Sequence, residues 1–149
     1  MMVDAAPVSS DTDQVQALLI ADQASDRMFF ESAFRNCGEA AALCSAANAA
    51  QARQQLEAEP APDVLFVDGH LPGPPVEELL EWVRSRPKFE RVLVVAVTGD
   101  FGRACLRPNI LGAHAVLVKP IAKMDVAAFV ALARAMRARP ARAEAVPAN

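Results

Sequence analysis

Short apolar segments recur along this chain, and each is followed by a longer segment whose apolar residues have helical spacing. The clearest are VLFVD at 64–68 and VLVVAV at 92–97, and the others are ALLIA at 17–21, AALCSA at 41–46 and AVLV at 115–118. A strand without a polar face is buried on both sides, which is typical of a parallel sheet covered by helices. The alternation therefore predicts an α/β fold with a doubly wound, five-stranded parallel sheet.

Amphipathic segments separate the predicted strands. DRMFFESAFRNCG at 26–38 has Met28, Phe29, Ala33 and Phe34 at helical spacing. Asn48 is placed to cap a helix over 48–59, since an asparagine side chain accepts a bond from the first turn. Helices are also predicted over 75–86 and 124–139, with inward stripes formed by Val76, Leu79, Leu80 and Val83 and by Val126, Phe129, Val130 and Ala133.

The length of 149 residues favours one domain, which we expect to span 15–138. Residues 1–14 are polar and punctuated, which indicates a flexible leader, and residues 139–149 are rich in proline, alanine and charge, which indicates a disordered tail. With no room after residue 138 for an output domain, we expect a stand-alone protein. The absence of an internal repeat supports a single unit.

Bulk composition argues against several classes of protein. The formal net charge is −3, whereas nucleic-acid binders are usually basic. The three cysteines include no CxxC pair, which favours free thiols in a reducing compartment over a disulfide framework or a zinc site. No apolar stretch approaches the roughly 18–20 residues of a membrane span, and no secretion signal is evident. We therefore expect a cytoplasmic protein without a nucleic-acid or membrane partner.

Polar side chains stand where four of the predicted strands end. Asp22 follows the first strand, Asp68 ends the third, Thr98 follows the fourth and Lys119 follows the fifth. Ligands bind at the carboxyl ends of the strands in open parallel sheets, so these side chains are expected to converge. Each has an ordinary alternative: Asp68 as a solvated strand end, Asp22 as a helix cap, Thr98 as a strand residue and Lys119 as a surface lysine.

The chemistry of this set suits phosphoryl transfer. Two carboxylates and a backbone carbonyl supply oxygen ligands of the kind that Mg²⁺ prefers. A carboxylate can also attack a phosphoryl group and form an aspartyl phosphate. The hydroxyl of Thr98 and the ammonium group of Lys119 could then hold the phosphoryl oxygens, and Lys119 with Mg²⁺ would offset the charge of Asp68.

The segments LLIADQASDR, VLFVDGHLPG, VVAVTGD and GAHAVLVKP, in this order, resemble the CheY-like receiver domain of two-component response regulators. The resemblance covers about 15–138 and implies the strand order 2-1-3-4-5. It implies that Asp68 is the phosphoacceptor of a histidine kinase or phosphotransfer protein, and that Thr98 and Lys119 contact the phosphoryl group. It further implies that Asp22, Asp68 and the backbone carbonyl of His70 bind Mg²⁺, and that the Lys119–Pro120 peptide is cis.

Three features depart from the pattern of this family. Ala21 replaces the first of two adjacent acids, which should weaken Mg²⁺ binding. Val116 replaces the aromatic residue that usually moves with the threonine. Gly102 and Pro108 interrupt the expected fourth helix at 99–112, which we predict to be short, kinked or irregular.

The sequence thus predicts a response regulator rather than an enzyme, with output by protein contact or phosphorelay to an unknown partner, as a monomer or weak homodimer. The alternative is a degenerate pseudo-receiver that acts as an interaction scaffold without phosphorylation. A third hypothesis, a haloacid-dehalogenase-type phosphatase, needs a second aspartate two residues after the nucleophile, where this chain has His70. The side chain of His70 is expected at the rim of the site, where it could tune dephosphorylation.

Overall fold

A computed structural model describes residues 14–99 and 113–138. Its five strands form one parallel sheet in the order β2-β1-β3-β4-β5. The strands are β1 (Val15–Ile20), β2 (Ala41–Ala46), β3 (Val64–Asp68), β4 (Leu93–Thr98) and β5 (Ala115–Val118). The prediction of five parallel strands and of their order is confirmed.

Four α-helices lie in the described ranges, and they connect or follow these strands. They are α1 (Ala24–Arg35), α2 (Ala49–Ala58), α3 (Val76–Arg84) and α4 (Lys123–Ala138), with short 3-10 turns at Gly38–Ala40 and Pro87–Phe89. The predicted cap of α2 is confirmed, since Asn48 Oδ1 accepts a hydrogen bond of 2.9 Å from the backbone N–H of Gln51. Gly38 adopts a φ of 66°, which suits glycine at the turn after α1.

The sheet is buried between two layers of helices. One apolar cluster joins alternate strand residues to α1 and α4, and the other joins the opposite strand faces to α2 and α3. Every residue of β3 and β4 is buried. These strands lack a polar face because helices cover both sides of the sheet, as the sequence predicted.

The inward face of α1 differs from the prediction by one position. Phe30, Ala33 and Phe34 are buried, whereas Met28 is 65% exposed. The ring centroid of Phe30 lies 5.1 Å from that of Phe66 on β3. The prediction for Met28 was wrong because three consecutive apolar residues at 28–30 fit two helical faces, and packing against Phe66 selects the face that carries Phe30. The inward stripes of α3 and α4 are confirmed, with Phe129 half-buried.

His114 is exposed, as expected from the sequence, and it also extends the pairing between β4 and β5. Its Nδ1 accepts a hydrogen bond of 2.9 Å from the backbone N–H of Val94, and its own backbone N–H donates to the carbonyl of Val94 at 2.8 Å. Loss of solvent around the ring, with Arg84 as a second cause, lowers the pKa of His114 from its ordinary value of 6.5. The neutral imidazole is thus part of the sheet's hydrogen bonding.

Some predictions concern parts of the chain outside the described residues. These are the leader up to residue 13, the tail at 139–149 and nearly all of the predicted fourth helix at 99–112. None of the helices at 14–99 and 113–138 is both long and apolar enough to cross a membrane.

Candidate functional site

The direction in which successive strands are added to the sheet changes between β1 and β3. From β1 the chain moves to β2 on one side, and it then returns past β1 to form β3 on the other side. In folds of this topology the loops that follow two such strands diverge, and ligands bind between them at the carboxyl edge of the sheet. The register pairs Ile20 with Val67, so Asp22 and Asp68 both follow at this edge.

Asp68 is a buried carboxylate, with 6% of its surface exposed. The strand that carries it runs through the core, and the turn after it brings the backbone N–H of His70 to Asp68 Oδ1 at 2.9 Å. A buried charge needs such a donor, because removal from water is otherwise costly. This bond offsets part of the cost of burying a carboxylate at the end of an apolar strand.

The second oxygen of Asp68 accepts no hydrogen bond from the described residues. The bond that Asp68 accepts is made at Oδ1, from the backbone N–H of His70. A carboxylate with one oxygen held by the backbone keeps the other for nucleophilic attack or for metal binding.

Thr98 ends β4 beside Asp68. Asp68 pairs in register with Val97, and Thr98 is the next residue, with 5% of its surface exposed. Its Oγ1 lies 3.3 Å from Nε2 of His70, close enough for a hydrogen bond whose direction depends on the imidazole tautomer. The exposed imidazole of His70 thus sits at the rim, as predicted, and it also contacts the hydroxyl that the sequence singled out.

Lys119 follows β5 at the same edge, and its backbone N–H donates to the carbonyl of Thr98 at 2.8 Å. Its side chain pairs with Asp26 of α1, with 3.0 Å between Nζ and Oδ2. The sequence predicted that Lys119 offsets the charge of Asp68, yet among the described ion pairs its partner is Asp26. The peptide between Lys119 and Pro120 is cis, as the resemblance implies.

The loop after β1 is held by α1 and β2. Arg27 Nη1 donates to the carbonyl of Ala21 at 2.8 Å, and the backbone N–H of Ala21 donates to the carbonyl of Ala46 at 3.0 Å. Ala21 is 1% exposed and belongs to the apolar cluster under α1 and α4. Asp22 is half-buried, and the side-chain amide of Gln23 lies 3.4 Å from its Oδ2. The loop therefore presents Asp22, with a buried methyl group at position 21.

The donor atoms at this edge fit Mg²⁺. Asp22, Asp68 and the backbone carbonyl of His70 supply oxygen, and Mg²⁺ commonly takes one or two carboxylates and keeps several waters. No group of three His, Cys, Asp or Glu side chains that could hold a metal ion occurs in the described part of the chain. This donor set thus suits a cation that retains water rather than one that requires a full protein cage.

Val116, at the position of the missing aromatic residue, lies in the middle of β5. It is half-buried and packs against the apolar cluster under α2 and α3. It has no polar group with which to follow Thr98. Any coupling between Thr98 and the rest of the molecule must therefore use another contact, and the bond to His70 is one that the structure provides.

Sequence reasoning missed the roles of Asp26 and Arg27. Both lie in the first part of α1. The observed N-cap is Gln23, without a side-chain bond, and Asp26 instead reaches a lysine 93 positions away. An acid one helical turn after Asp22 was the available signal, but a local pattern does not specify so distant a partner.

Comparison with known proteins gave matches among solved structures, whereas no family model and no curated protein matches this chain. A response regulator from Chloroflexus aurantiacus, described as putative, is 25% identical over 82% of this chain and 98% of its own, with a TM-score of 0.72. The receiver domain of a histidine kinase from Syntrophus aciditrophicus is 19% identical over 85% and 94%, with a TM-score of 0.74.

A third match is the receiver domain of a sensor histidine kinase from Pseudomonas aeruginosa, with magnesium coordinated in its active-site cleft. It is 19% identical over 82% of this chain and 98% of its own, with a TM-score of 0.72. The chain thus has the fold of CheY-like response regulator receiver domains. The expectation of this fold from the four sequence segments is confirmed.

Proposed function

We propose that residues 15–138 form a receiver domain that accepts a phosphoryl group on Asp68 in the presence of Mg²⁺. The observation that carries this proposal is the position of Asp68. It is a buried strand-end carboxylate with one oxygen held by a backbone N–H, and no described residue bonds to its other oxygen. Thr98 and Lys119 follow on the next two strands. The protein is a signalling component rather than an enzyme that turns over a separate substrate.

The proposed phosphodonor is a phosphohistidine on a sensor histidine kinase or a phosphotransfer protein. Two of the matched structures are receiver domains of histidine kinases, which supports a donor of this class. In the transfer, an oxygen of Asp68 forms a bond to phosphorus while the P–N bond of the donor breaks. The electron pair of that bond returns to the donor imidazole. Hydrolysis of the aspartyl phosphate later regenerates the carboxylate and releases inorganic phosphate.

Asp22, Asp68 and the carbonyl of His70 would hold Mg²⁺, which when bound neutralises charge on the phosphoryl oxygens. The Thr98 hydroxyl donates a hydrogen bond to one phosphoryl oxygen, and the Lys119 ammonium group donates to another. Both groups act by stabilising charge that develops during transfer. Lys119 must leave Asp26 to do so.

Output is proposed to occur by contact with another protein or by onward phosphoryl transfer. Phosphorylation adds negative charge next to Thr98 and can draw its hydroxyl from His70. The loop after Thr98 is therefore the proposed switch, and the downstream protein stays unidentified. We propose a monomer or weak homodimer, without a nucleic-acid or membrane partner. The free thiols of Cys37 and Cys44 fit a reducing cytoplasm.

The test is the intact mass of the protein after incubation with a small phosphodonor and Mg²⁺, beside Asp68→Asn. Gain of one phosphoryl group by the wild type, with none in Asp68→Asn, is the expected result. Equal gain by both proteins would place the modification elsewhere and contradict the role of Asp68. Asn is the matched replacement because it keeps an acceptor for the N–H of His70.

A pseudo-receiver that acts as a scaffold is the second candidate. It is favoured by Ala21, which leaves the loop with one acid, and by the pairing of Lys119 with Asp26. A scaffold of this kind would take up no phosphoryl group and bind no Mg²⁺ at millimolar concentration. Titration with Mg²⁺, followed by the amide signals of residues 22 and 68–70, distinguishes the two candidates.

A further inference from the structure

An ion pair joins Asp26 to Lys119, which lie 93 positions apart in the sequence. Asp26 lies in the first turn of α1, and Lys119 lies directly after β5, with the two side chains 26% and 35% exposed. Their charged atoms are 3.0 Å apart, which is within the ordinary range of an N–H···O hydrogen bond. Such a bond directs the ammonium group of Lys119 to α1 in the unphosphorylated protein.

This pairing has a consequence for Asp68, because a donor of the Lys119 ammonium group that is bound to Asp26 is not available to a second anion. With Nζ bound to Asp26, the carboxylate of Asp68 relies on the N–H of His70 and on solvent. An unpaired carboxylate is a better nucleophile than one that is neutralised by a lysine. The same lysine is needed once negative charge builds up on a phosphoryl group.

Asp26 on α1 follows the loop in which an alanine at position 21 replaces the first of the two usual acids. Position 21 carries a methyl group that is buried in the core, so no carboxylate can reach Lys119 from there. Asp26 supplies a carboxylate from the neighbouring helix. The observed contact of that carboxylate is with the ammonium group of Lys119.

We infer that Asp26 is a positioning residue that holds Lys119 in the unphosphorylated state and competes with the phosphoryl group for it. This inference rests on the proposed function of Asp68. Phosphorylation then exchanges one partner of Lys119 for another, and the strength of the Asp26 pair sets how readily the exchange occurs. Removal of the carboxylate makes Lys119 available and favours the phosphorylated state.

The first experiment measures the affinity for beryllofluoride, a phosphoryl mimic that binds to a carboxylate, with Mg²⁺ present. Asp26→Asn is expected to bind it about twofold to fivefold more tightly than the wild type, which is the range for loss of a competing, partly exposed ion pair. Asp26→Glu keeps the charge and should restore affinity toward that of the wild type. Glu31→Gln is the control, because Glu31 is an exposed acid on the same helix.

A double-mutant cycle makes the effect specific to the lysine. In a Lys119→Met background, Asp26→Asn should leave beryllofluoride affinity unchanged, because the group for which it competes is gone. An equal gain with and without Lys119 would overturn the inference and indicate a general charge effect. Unchanged affinity in Asp26→Asn, while the wild type binds beryllofluoride, would overturn the inference and leave the proposed function intact.

The ¹⁵N signal of Lys119 Nζ gives a readout that does not depend on the chemistry. It should shift in Asp26→Asn without ligand and stay unchanged in Glu31→Gln. Binding of beryllofluoride by Asp26→Asn but not by the wild type would also support the inference, because the Asp26 pair would then block binding altogether. Absence of binding in all variants, with the Nζ shift present, would overturn the proposed function and with it the competition that we infer.

Discussion

The hydroxyl oxygen of Thr98 lies 3.3 Å from Nε2 of His70, and the backbone N–H of the same His70 holds Asp68 Oδ1 at 2.9 Å. His70, in the loop between β3 and α3, therefore contacts both Asp68 at the end of β3 and Thr98 at the end of β4. The backbone contact is available to any residue at position 70 except proline, whereas the imidazole contact depends on histidine. The side chain is thus the part of this arrangement that mutation can isolate.

His70→Ala should raise the extent of phosphorylation at a limiting concentration of a small phosphodonor. The imidazole holds the Thr98 hydroxyl in the unphosphorylated protein, and a hydrogen bond of this kind is worth about 1 kcal/mol, or roughly fivefold in an equilibrium. Intact mass as a function of donor concentration measures the change. The control is Thr98→Val with and without His70→Ala, since His70 should have no effect when the hydroxyl is absent. An equal effect in both backgrounds would contradict this account.

The unfolding free energy should fall as the pH drops below the ordinary pKa of histidine because of His114. The pKa of the folded-state imidazole is lowered, so the unfolded chain binds a proton first as the pH falls through 6.5. The contribution is therefore complete above this pH and is lost as the pH falls through the folded pKa. Urea denaturation at pH 8 and pH 5.5 measures it.

The matched comparison for that titration is His114→Gln, whose side-chain oxygen can accept from the N–H of Val94 without titrating. The difference in stability between the two pH values should be smaller in this variant than in the wild type. The same pH dependence in His114→Gln and in the wild type would rule out His114 as its source.

Asn48→Ala should lower the unfolding free energy by about 0.5–2 kcal/mol, because it removes the acceptor for the first turn of α2. The bond from Gln51 N–H to Asn48 Oδ1 is 2.9 Å long. Asn36→Ala is the control, because Asn36 is the C-cap of α1 and bonds to the helix through its backbone N–H. Chemical denaturation of the two variants measures the difference, and equal loss would contradict the capping role.

Phe30→Ala should cost about 3–5 kcal/mol, whereas Met28→Ala should change the unfolding free energy by less than about 1 kcal/mol. Phe30 is 2% exposed and packs against Phe66, and Met28 is 65% exposed. Urea or thermal unfolding of the two variants distinguishes the observed face of α1 from the one that spacing alone favoured. A larger loss for Met28→Ala would contradict the observed orientation of the helix.

The sequence alone was sufficient to predict the sheet and the edge at which the polar side chains gather. Strands with no polar face require helices on both sides, and parallel strands direct their carboxyl ends to one edge. Asp22, Asp68, Thr98 and Lys119 could be placed at that edge for this reason. The inward stripes of α3 and α4 were also predictable, because each segment has one apolar face of unambiguous spacing.

Tertiary structure decided the partners within the site and the face of α1. The choice between Met28 and Phe30 depended on which side chain fits against Phe66, and that contact joins residues from different elements. Likewise, the choice of Asp26 rather than Asp68 as the partner of Lys119 depends on where the folded chain places the first turn of α1 relative to the residue that follows β5. Periodicity and residue type specify which groups reach a surface, whereas hydrogen bonds between distant residues depend on distances that exist only in the folded chain.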